Sequence, residues 1–381
     1  DVCSSDLRVI KAYNRLIDRS AYFEEECNNY KGVNLELVKV NAVFHPMMIL
    51  LIGLSTLITI FIGGKLAIAG EISTGNIAEF VIYVNMLTWP VAAVGWVTSL
   101  IQRAAASQTR INEFLDTIPS IQNPSENSFQ IKGKIEFKNV EFVYPDSEIR
   151  ALKNISFDID AGQSIAIIGK TGCGKSTISN LVTRLYDTTK GTILIDNTDI
   201  KTININNLRS EIGYVPQEVF LFSDTIKNNI AFGNDEKSFK KIEEAAKNAE
   251  ILDNIKNFSK GFETKVGERG ITLSGGQKQR ISIARAIINN PKILIFDDCL
   301  SAIDTETEEK IISNLKKIML GKTTIIISHR ISSVKHADKI LYIDDGEIIE
   351  SGNHNSLIEQ QGHYFELNLK QQFEKEKKIA Q

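Results

Sequence analysis

The sequence predicts a membrane α-helical segment followed by an α/β domain built around a phosphate-cradling loop. Three observations predict it: two long apolar runs near the start, an alternation of β-rich and helix-period segments after residue 135, and one glycine-rich loop between a strand and a helix. At 381 residues and 43% hydrophobic content, the chain can hold two or more domains with sizeable cores. Its 44 Lys and Arg against 47 Asp and Glu leave a formal charge of -3, which gives no reason to count nucleic acid among its partners. Cys3, Cys27, Cys173 and Cys299 are scattered, with no CxxC pair and no His at ligand spacing. A reduced, cytosolic setting for most of the chain follows, and a structural zinc does not.

Residues 1–7, DVCSSDL, read as translated adapter DNA and are expected to be non-native, with the native protein beginning upstream. The run 42–62 carries no charge and the run 77–100 carries only Glu79. Each is near the roughly 20 residues that cross a bilayer, the competing reading being a buried core helix. Arg8, Lys11, Arg15, Arg19, Lys31 and Lys39 precede the first run, and Arg103 and Arg110 follow the second. The connecting loop 63–75 holds only Lys65, so the positive-inside bias places both flanks in the cytoplasm and that loop outside.

From 117 to 134 the chain turns polar, with Pro119, Pro124 and Gly133, and an interdomain linker is expected over 119–134. Beyond it, β-rich runs at 164–168, 193–195, 293–296 and 323–327 alternate with helix-period segments such as 240–257 and 277–289. That alternation predicts a largely parallel sheet with helices on both faces. The piece ILYIDDGEIIESG carries an Asp-Gly turn between strand-like runs and reads as a hairpin.

The chemistry concentrates in three places. After the strand 164–168 comes Gly169-Lys170-Thr171-Gly172-Cys173-Gly174-Lys175-Ser176-Thr177, which fits GxxxxGK[ST] and runs into a helical segment at 178–185. Gly172 and Gly174 let backbone N–H groups point inward around phosphates, and the helix N-terminus adds partial positive charge. In this pattern Lys175 reaches the β- and γ-phosphates and Ser176 a magnesium ion. Asp297 and Asp298 follow the strand 293–296, where one carboxylate can hold magnesium and its neighbour can orient water. Leu273-Ser274-Gly275-Gly276-Gln277 opens another helix, so free N–H groups and a small hydroxyl sit where an anion could dock.

LSGGQ together with the phosphate loop resembles the ATP-binding cassette (ABC) family, and 135–369 matches that family almost element by element. The resemblance implies an α/β P-loop ABC ATPase domain over 135–372 with a polar tail at 373–381. Residues 8–118 resemble the C-terminal part of an exporter's transmembrane domain, that is, the last two transmembrane helices of a six-helix domain. Four helices are then missing, and the chain is expected to be an N-terminally truncated half-transporter. ATP and Mg2+ are the implied cofactors. The implied partners are a second half-transporter in a head-to-tail homodimer or heterodimer, the lipid bilayer, and an exported lipid, drug-like or peptide substrate. The implied location is the inner cell membrane, multi-pass, with the ATPase domain in the cytoplasm.

Carried onto this chain, the resemblance makes Tyr144 the aromatic that stacks on adenine, a strand core aromatic being its plainer role. Gly169, Thr171, Gly172, Cys173, Gly174, Lys175, Ser176 and Thr177 become the nucleotide cradle. Ser274, Gly275, Gly276 and Gln277 meet the γ-phosphate held by the partner subunit. Ser176, Gln217 and Asp297 serve magnesium, and Lys175, Gln217, Asp298 and His329 serve catalysis, with Gln217 also coupling to the membrane part. Residues 301–304 resemble the D-loop, 266–270 a segment typical of exporters, and 8–18 a coupling helix, which is otherwise a charged helix face. His45, His336, His354 and His363 match nothing.

One departure stands out: most family members carry Glu where this chain has Asp298. One methylene fewer withdraws the carboxylate by about 1.5 Å, so turnover is expected to slow. In related exporters an Asp here often marks the weaker half of a heterodimer, so a hydrolysis-impaired regulatory half is the alternative reading. A soluble cassette protein is opposed by the fused spans. Cys173, near a helix N-terminus, is expected to favour a thiolate whose alkylation blocks ATP binding, the plainer reading being a tolerated filler.

Overall fold

The computed structural model describes residues 7, 10–124, 129–234, 238–267, 273–299 and 305–379. They fall into two units, Asp1–Ile118 and Pro119–Gln381.

The first unit is a pair of helices, α1 (Leu16–Ile68) and α2 (Thr74–Leu115). Both are long and apolar enough to cross a membrane, and within their most apolar windows no residue is buried. Leu57 is 66% and Trp89 77% exposed. Two helices cannot cover each other on every side, so lipid or further helices must shield this surface. The helices run well past the apolar spans 42–62 and 77–100. The expected loop 63–75 shrinks to residues 69–73, and Lys65 sits in the last turn of α1. The loop can be this short because Gly70 turns at φ 75 and Ser73 caps α2 through a reciprocal bond pair with Asn76. Within 8–18, residues 10–12 are helical, Asn14 takes φ 51, and Arg15 pairs with Asp18 at 2.5 Å as α1 begins; Arg8 lies outside the described residues.

The second unit joins two sheets. β1 (Ile135–Val143) and β2 (Arg150–Ile159) form an antiparallel pair in which Phe137 stacks on Phe157 at 4.4 Å. β3 (Ser164–Gly169) leads through the glycine-rich loop into α3 (Lys175–Val182). β4 (Lys190–Ile195) and β5 (Thr198–Asp199) return to the antiparallel sheet, whose order is β2-β1-β4-β5. The run at 193–195 is therefore not part of the parallel sheet. Three apolar residues carry no direction of their own, and the turn at Asp196 and Asn197, both at positive φ, folds this strand back as a hairpin.

After α4 (Ile205–Ser210) and β6 (Ile212–Val215) comes a helical section of α5 (Ile226–Ile230), α6 (Phe239–Asn248), α7 (Leu252–Asn257) and α8 (Gly275–Ile287). The helix expected over 240–257 is two helices. Glu250 breaks it at φ 55, its carbonyl accepting from Arg280 Nη1 at 2.6 Å and its carboxylate from Asn314 Nδ2 at 2.6 Å. β7 (Ile293–Asp297), α9 (Thr305–Met319), β8 (Thr323–Ile327), α10 (Ile331–Val334), β9 (Lys339–Asp344), β10 (Glu347–Gly352), α11 (His354–Glu359) and α12 (His363–Ile379) complete the unit. The larger sheet is ordered β10-β9-β3-β8-β7-β6 and is parallel except for β10. β10 returns through Asp345 at φ 45 and Gly346 at φ 77, the positive-φ pair that a two-residue hairpin needs. Residues 373–379, expected to begin a polar tail, continue α12.

Both faces of the parallel strands are covered, which is why their sequences read as unbroken apolar runs. Ile165 and Ile167 of β3 point into a core shared with the antiparallel sheet and α3, whereas Ala166 and Ile168 point into one shared with α10, Leu357 and Tyr364. Leu294 and Phe296 of β7 face a third core with α5 to α8.

Part of the stretch expected as an interdomain linker is bonded to the second unit. Asn123 accepts from Ile205 N, Phe129 N donates to Asn207, and Ile131 is 3% exposed. The Asp196 carboxylate accepts from the N–H groups of Lys132, Gly133 and Lys134 at 2.6, 3.2 and 2.9 Å. Asp196→Ala should destabilise this unit by about 2 kcal/mol, since charge-assisted bonds to backbone carry such weight. The measurement is the midpoint of its unfolding transition, and an unchanged midpoint would contradict the anchoring role.

Candidate nucleotide site

Strand register brings four separated stretches to one edge of the parallel sheet. Ile167 pairs with Ile327, Ile327 with Asp297, and Val215 with Phe296. The loop after β3, His329 after β8, Asp297 and Asp298 at the end of β7, and Gln217 after β6 therefore all leave the carboxyl ends of neighbouring strands. That edge is where open α/β sheets place their ligands. Ser328 N donates to Ile167 O at 3.2 Å and Asp298 N to Ile327 O at 2.8 Å, tying the strand ends together.

The loop's shape depends on glycine. Gly174 caps α3 at φ 97, and a side-chain carbon there would collide with the Ala151 carbonyl; at Gly169 it would collide with the Ile343 carbonyl. Thr171 and Gly172 are exposed at the lip, while Cys173, Lys175 and Thr177 are buried. Lys175, 5% exposed, curls back so that Nζ donates to Gly169 O at 3.0 Å and to Lys170 O at 2.5 Å. Burial holds its ammonium below the ordinary lysine range. One turn away, Ser176 Oγ donates to Asp297 Oδ1 at 3.1 Å and Ser179 Oγ to Oδ2 at 3.3 Å. Burial pushes the Asp297 carboxyl up, and the two serine bonds oppose that shift.

A buried ammonium among loop carbonyls calls for an anion, and a hydroxyl–carboxylate pair beside a helix start suits a hard divalent cation. These donors fit a magnesium-bound nucleoside triphosphate. Ser179 escaped notice in the sequence, although its i+3 spacing from Ser176 puts both on one helix face.

Tyr144 stands at the side of the loop, its hydroxyl 3.0 Å from Thr177 Oγ1. It packs edge-on against Phe142 and Tyr186 at 4.8 and 5.5 Å, so it is partly a core aromatic and only half-buried. Gln217 is exposed and His329 half-buried. Asp298 takes φ 43, a left-handed conformation that Asp tolerates better than most residues.

Ser274 is the N-cap of α8 and forms a capping box with Gln277, Gln277 N donating to Ser274 Oγ at 3.3 Å and Ser274 N to Gln277 Oε1 at 3.0 Å. Ser274 and Gly275 are exposed. Among the described residues no hydrogen bond links Ser274, Gly275, Gly276 or Gln277 to the loop that holds Lys175. The segment 301–304 and most of 266–270 lie outside the described residues. His354 is structural, with Nδ1 2.8 Å from Tyr364 Oη, and His363 stacks on Tyr342.

Two family profiles match this chain: the ABC transporter profile over residues 152–301, and the ABC transporter transmembrane region over 5–91. The chain belongs to the ABC transporter family. It is 40% identical over 369 residues to a probable multidrug resistance ABC transporter ATP-binding/permease protein, YheI, of Bacillus subtilis, covering 97% of this chain and 63% of that protein. It is 38% identical over 362 residues to an ATP-dependent lipid A-core flippase of Photobacterium profundum, covering 95% and 62%. Among solved structures, a bacterial Atm1-family ABC exporter with ATP bound superposes with a TM-score of 0.85 at 32% identity, covering 96% of this chain and 64% of that one. The chain thus spans a little under two thirds of the length of these relatives.

The ABC loop carries one correction to the sequence reading. Cys173 is 5% exposed, and burial pushes its thiol above the usual range despite Lys175 Nζ at 3.7 Å. The thiolate expected from its place near a helix N-terminus is therefore disfavoured. At pH 7 a maleimide should label exposed Cys27 well before Cys173, and Cys173 labelling should speed up as pH rises. Faster labelling of Cys173 at neutral pH would contradict this.

Proposed function

We propose that this chain is the ATP-hydrolysing motor, with part of the membrane domain, of an ABC exporter. The observation that carries the reading is Lys175, buried and bonded to two loop carbonyls beside the Ser176–Asp297 pair. In this reading Lys175 turns from the Gly169 and Lys170 carbonyls to the β- and γ-phosphates, while the N–H groups of the loop and of the α3 start hold the remaining oxygens. Gly169, Thr171, Gly172, Cys173, Gly174 and Thr177 shape that cradle, and Tyr144 takes adenine. Ser176, Asp297 and Gln217 hold magnesium, which when bound neutralises phosphate charge. Asp298 orients the attacking water, and His329 contacts the γ-phosphate.

Ser274, Gly275, Gly276 and Gln277 are exposed or half-exposed at a helix start, in keeping with use by another subunit. The partner is a second half-transporter, with each ATP between the loop of one subunit and the α8 start of the other. Gln217 serves coupling in this reading, and an aromatic patch begins three residues on. Phe220 meets Phe222 edge-on at 5.1 Å, and Phe222 stacks on Phe232 at 4.3 Å. Arg285 of α8 underpins them, donating to Phe220 O and Asn229 O at 2.9 and 2.8 Å. Burial brings its guanidinium down to about 10. Phe220 and Phe232 remain 49% and 62% exposed, so the patch presents apolar surface on the second unit.

The bilayer holds α1 and α2, with the ATPase unit in the cytoplasm by the positive-inside bias. The exported cargo is a lipid, a drug-like molecule or a peptide. A hydrolysis-impaired regulatory half of a heterodimer is the second reading, and it rests on Asp298 alone. ATP turnover by the full-length protein in lipid tests the proposal. Asp298→Glu should raise kcat on the order of tenfold, because small misplacements of a catalytic group cost that much or more. An unchanged or lower rate would count against a positioning defect.

A further inference from the structure

The segment that carries His329 is held by a residue from the far end of the chain. β8 ends at Ile327, so the His329 carbonyl lies past the sheet. Ile331 N–H is the first N–H of α10, whose N-cap Arg330 supplies no side-chain cap bond. Such groups are the ones a helix start leaves without an internal partner. Gln371 of α12 meets both: its Nε2 donates to His329 O at 2.6 Å, and Ile331 N donates to its Oε1 at 2.9 Å. Only this orientation of the carboxamide satisfies a carbonyl and an N–H together. One side chain therefore fixes the peptide planes on both sides of Arg330, immediately after His329.

Gln371 is itself placed by packing. Tyr364, Leu367 and Gln371 fall on one face of α12 by their three- and four-residue spacing. Tyr364 is fully buried, and Leu367 packs against the same core as Ile331 and Val334 of α10. The Glu350 carboxylate of β10 accepts from the N–H groups of His363 and Tyr364, which pins the first turn of α12. The helix is thus registered two turns before Gln371, and the carboxamide arrives as a preset clamp.

We propose that Gln371 is a positioning residue for His329, holding the imidazole's backbone so that the ring meets the γ-phosphate without a search. The inference rests on the ATPase reading above. Gln371→Ala removes both bonds; Gln371→Glu keeps an acceptor for Ile331 N–H but sets a carboxylate oxygen against the His329 carbonyl. Phosphate binding through Lys175 and Ser176 involves neither bond, so the loss should fall on kcat.

In the full-length protein in lipid nanodiscs, both variants should lower kcat about tenfold with KM for ATP within about twofold, as expected for a misplaced group that acts late. On a His329→Ala background, Gln371→Ala should add no further loss. A wild-type kcat in either variant, a rise in KM at constant kcat, or a full additional loss on the His329→Ala background would overturn the proposal. Amide hydrogen exchange separates this from failure of the ATPase reading. Exchange at Ile331 should accelerate in Gln371→Ala whether or not ATP is hydrolysed, and unchanged exchange there would overturn the clamp. Absence of wild-type turnover would instead count against the ATPase reading.

Discussion

The buried ammonium of Lys175 is the constraint on which the site depends. A cation 5% exposed is stable only where polar groups replace its water, and here the Gly169 and Lys170 carbonyls do so. Those carbonyls face inward because the loop closes tightly against Ala151 and Ile343, which only glycine at 174 and 169 allows. The loop is fixed in turn because β3 is paired on both sides, with β8 and β9. Removing any of these supports would leave Lys175 to seek water, and the cradle would lose its charge.

The same sheet edge explains why distant residues converge. Parallel register carries Asp297, His329 and Gln217 to the end of the sheet where the loop sits, although more than a hundred residues separate Lys175 from Asp297 or His329. Asp297 is poised by competing effects: burial favours its neutral form, and two serine hydroxyls favour its charged form. A divalent cation at Ser176 would settle that balance toward the carboxylate. Asp298 next to it is set in a left-handed turn, so its reach is fixed by backbone as well as by side-chain length.

Much of this was legible in the residues. GxxxxGK[ST] after an apolar strand, two acids after another, and Ser-Gly-Gly opening a helix are local patterns with local physics, and the hairpin at Asp345-Gly346 is equally local. What sequence did not reveal was non-local. The 193–195 run pairs antiparallel because of a turn at Asp196, and one helix became two because Glu250 is engaged by Arg280 and Asn314. Phe129 and residues 132–134 are held by bonds to Asn207 and Asp196. Gln371 gave no signal, since its role exists only once α12 lies beside α10. Cys173 misled for the same reason: its position in the chain favours a thiolate, but its burial does not.

The most direct test of the central claim is equilibrium binding of ATP with magnesium to the full-length protein, compared with Lys175→Ala. Loss of a buried charge-assisted contact to phosphate should weaken binding about a hundredfold, while the fold, read by the unfolding midpoint, persists. Equal affinity in the variant would contradict the account, because the nucleotide would then be held somewhere other than the loop built around Lys175.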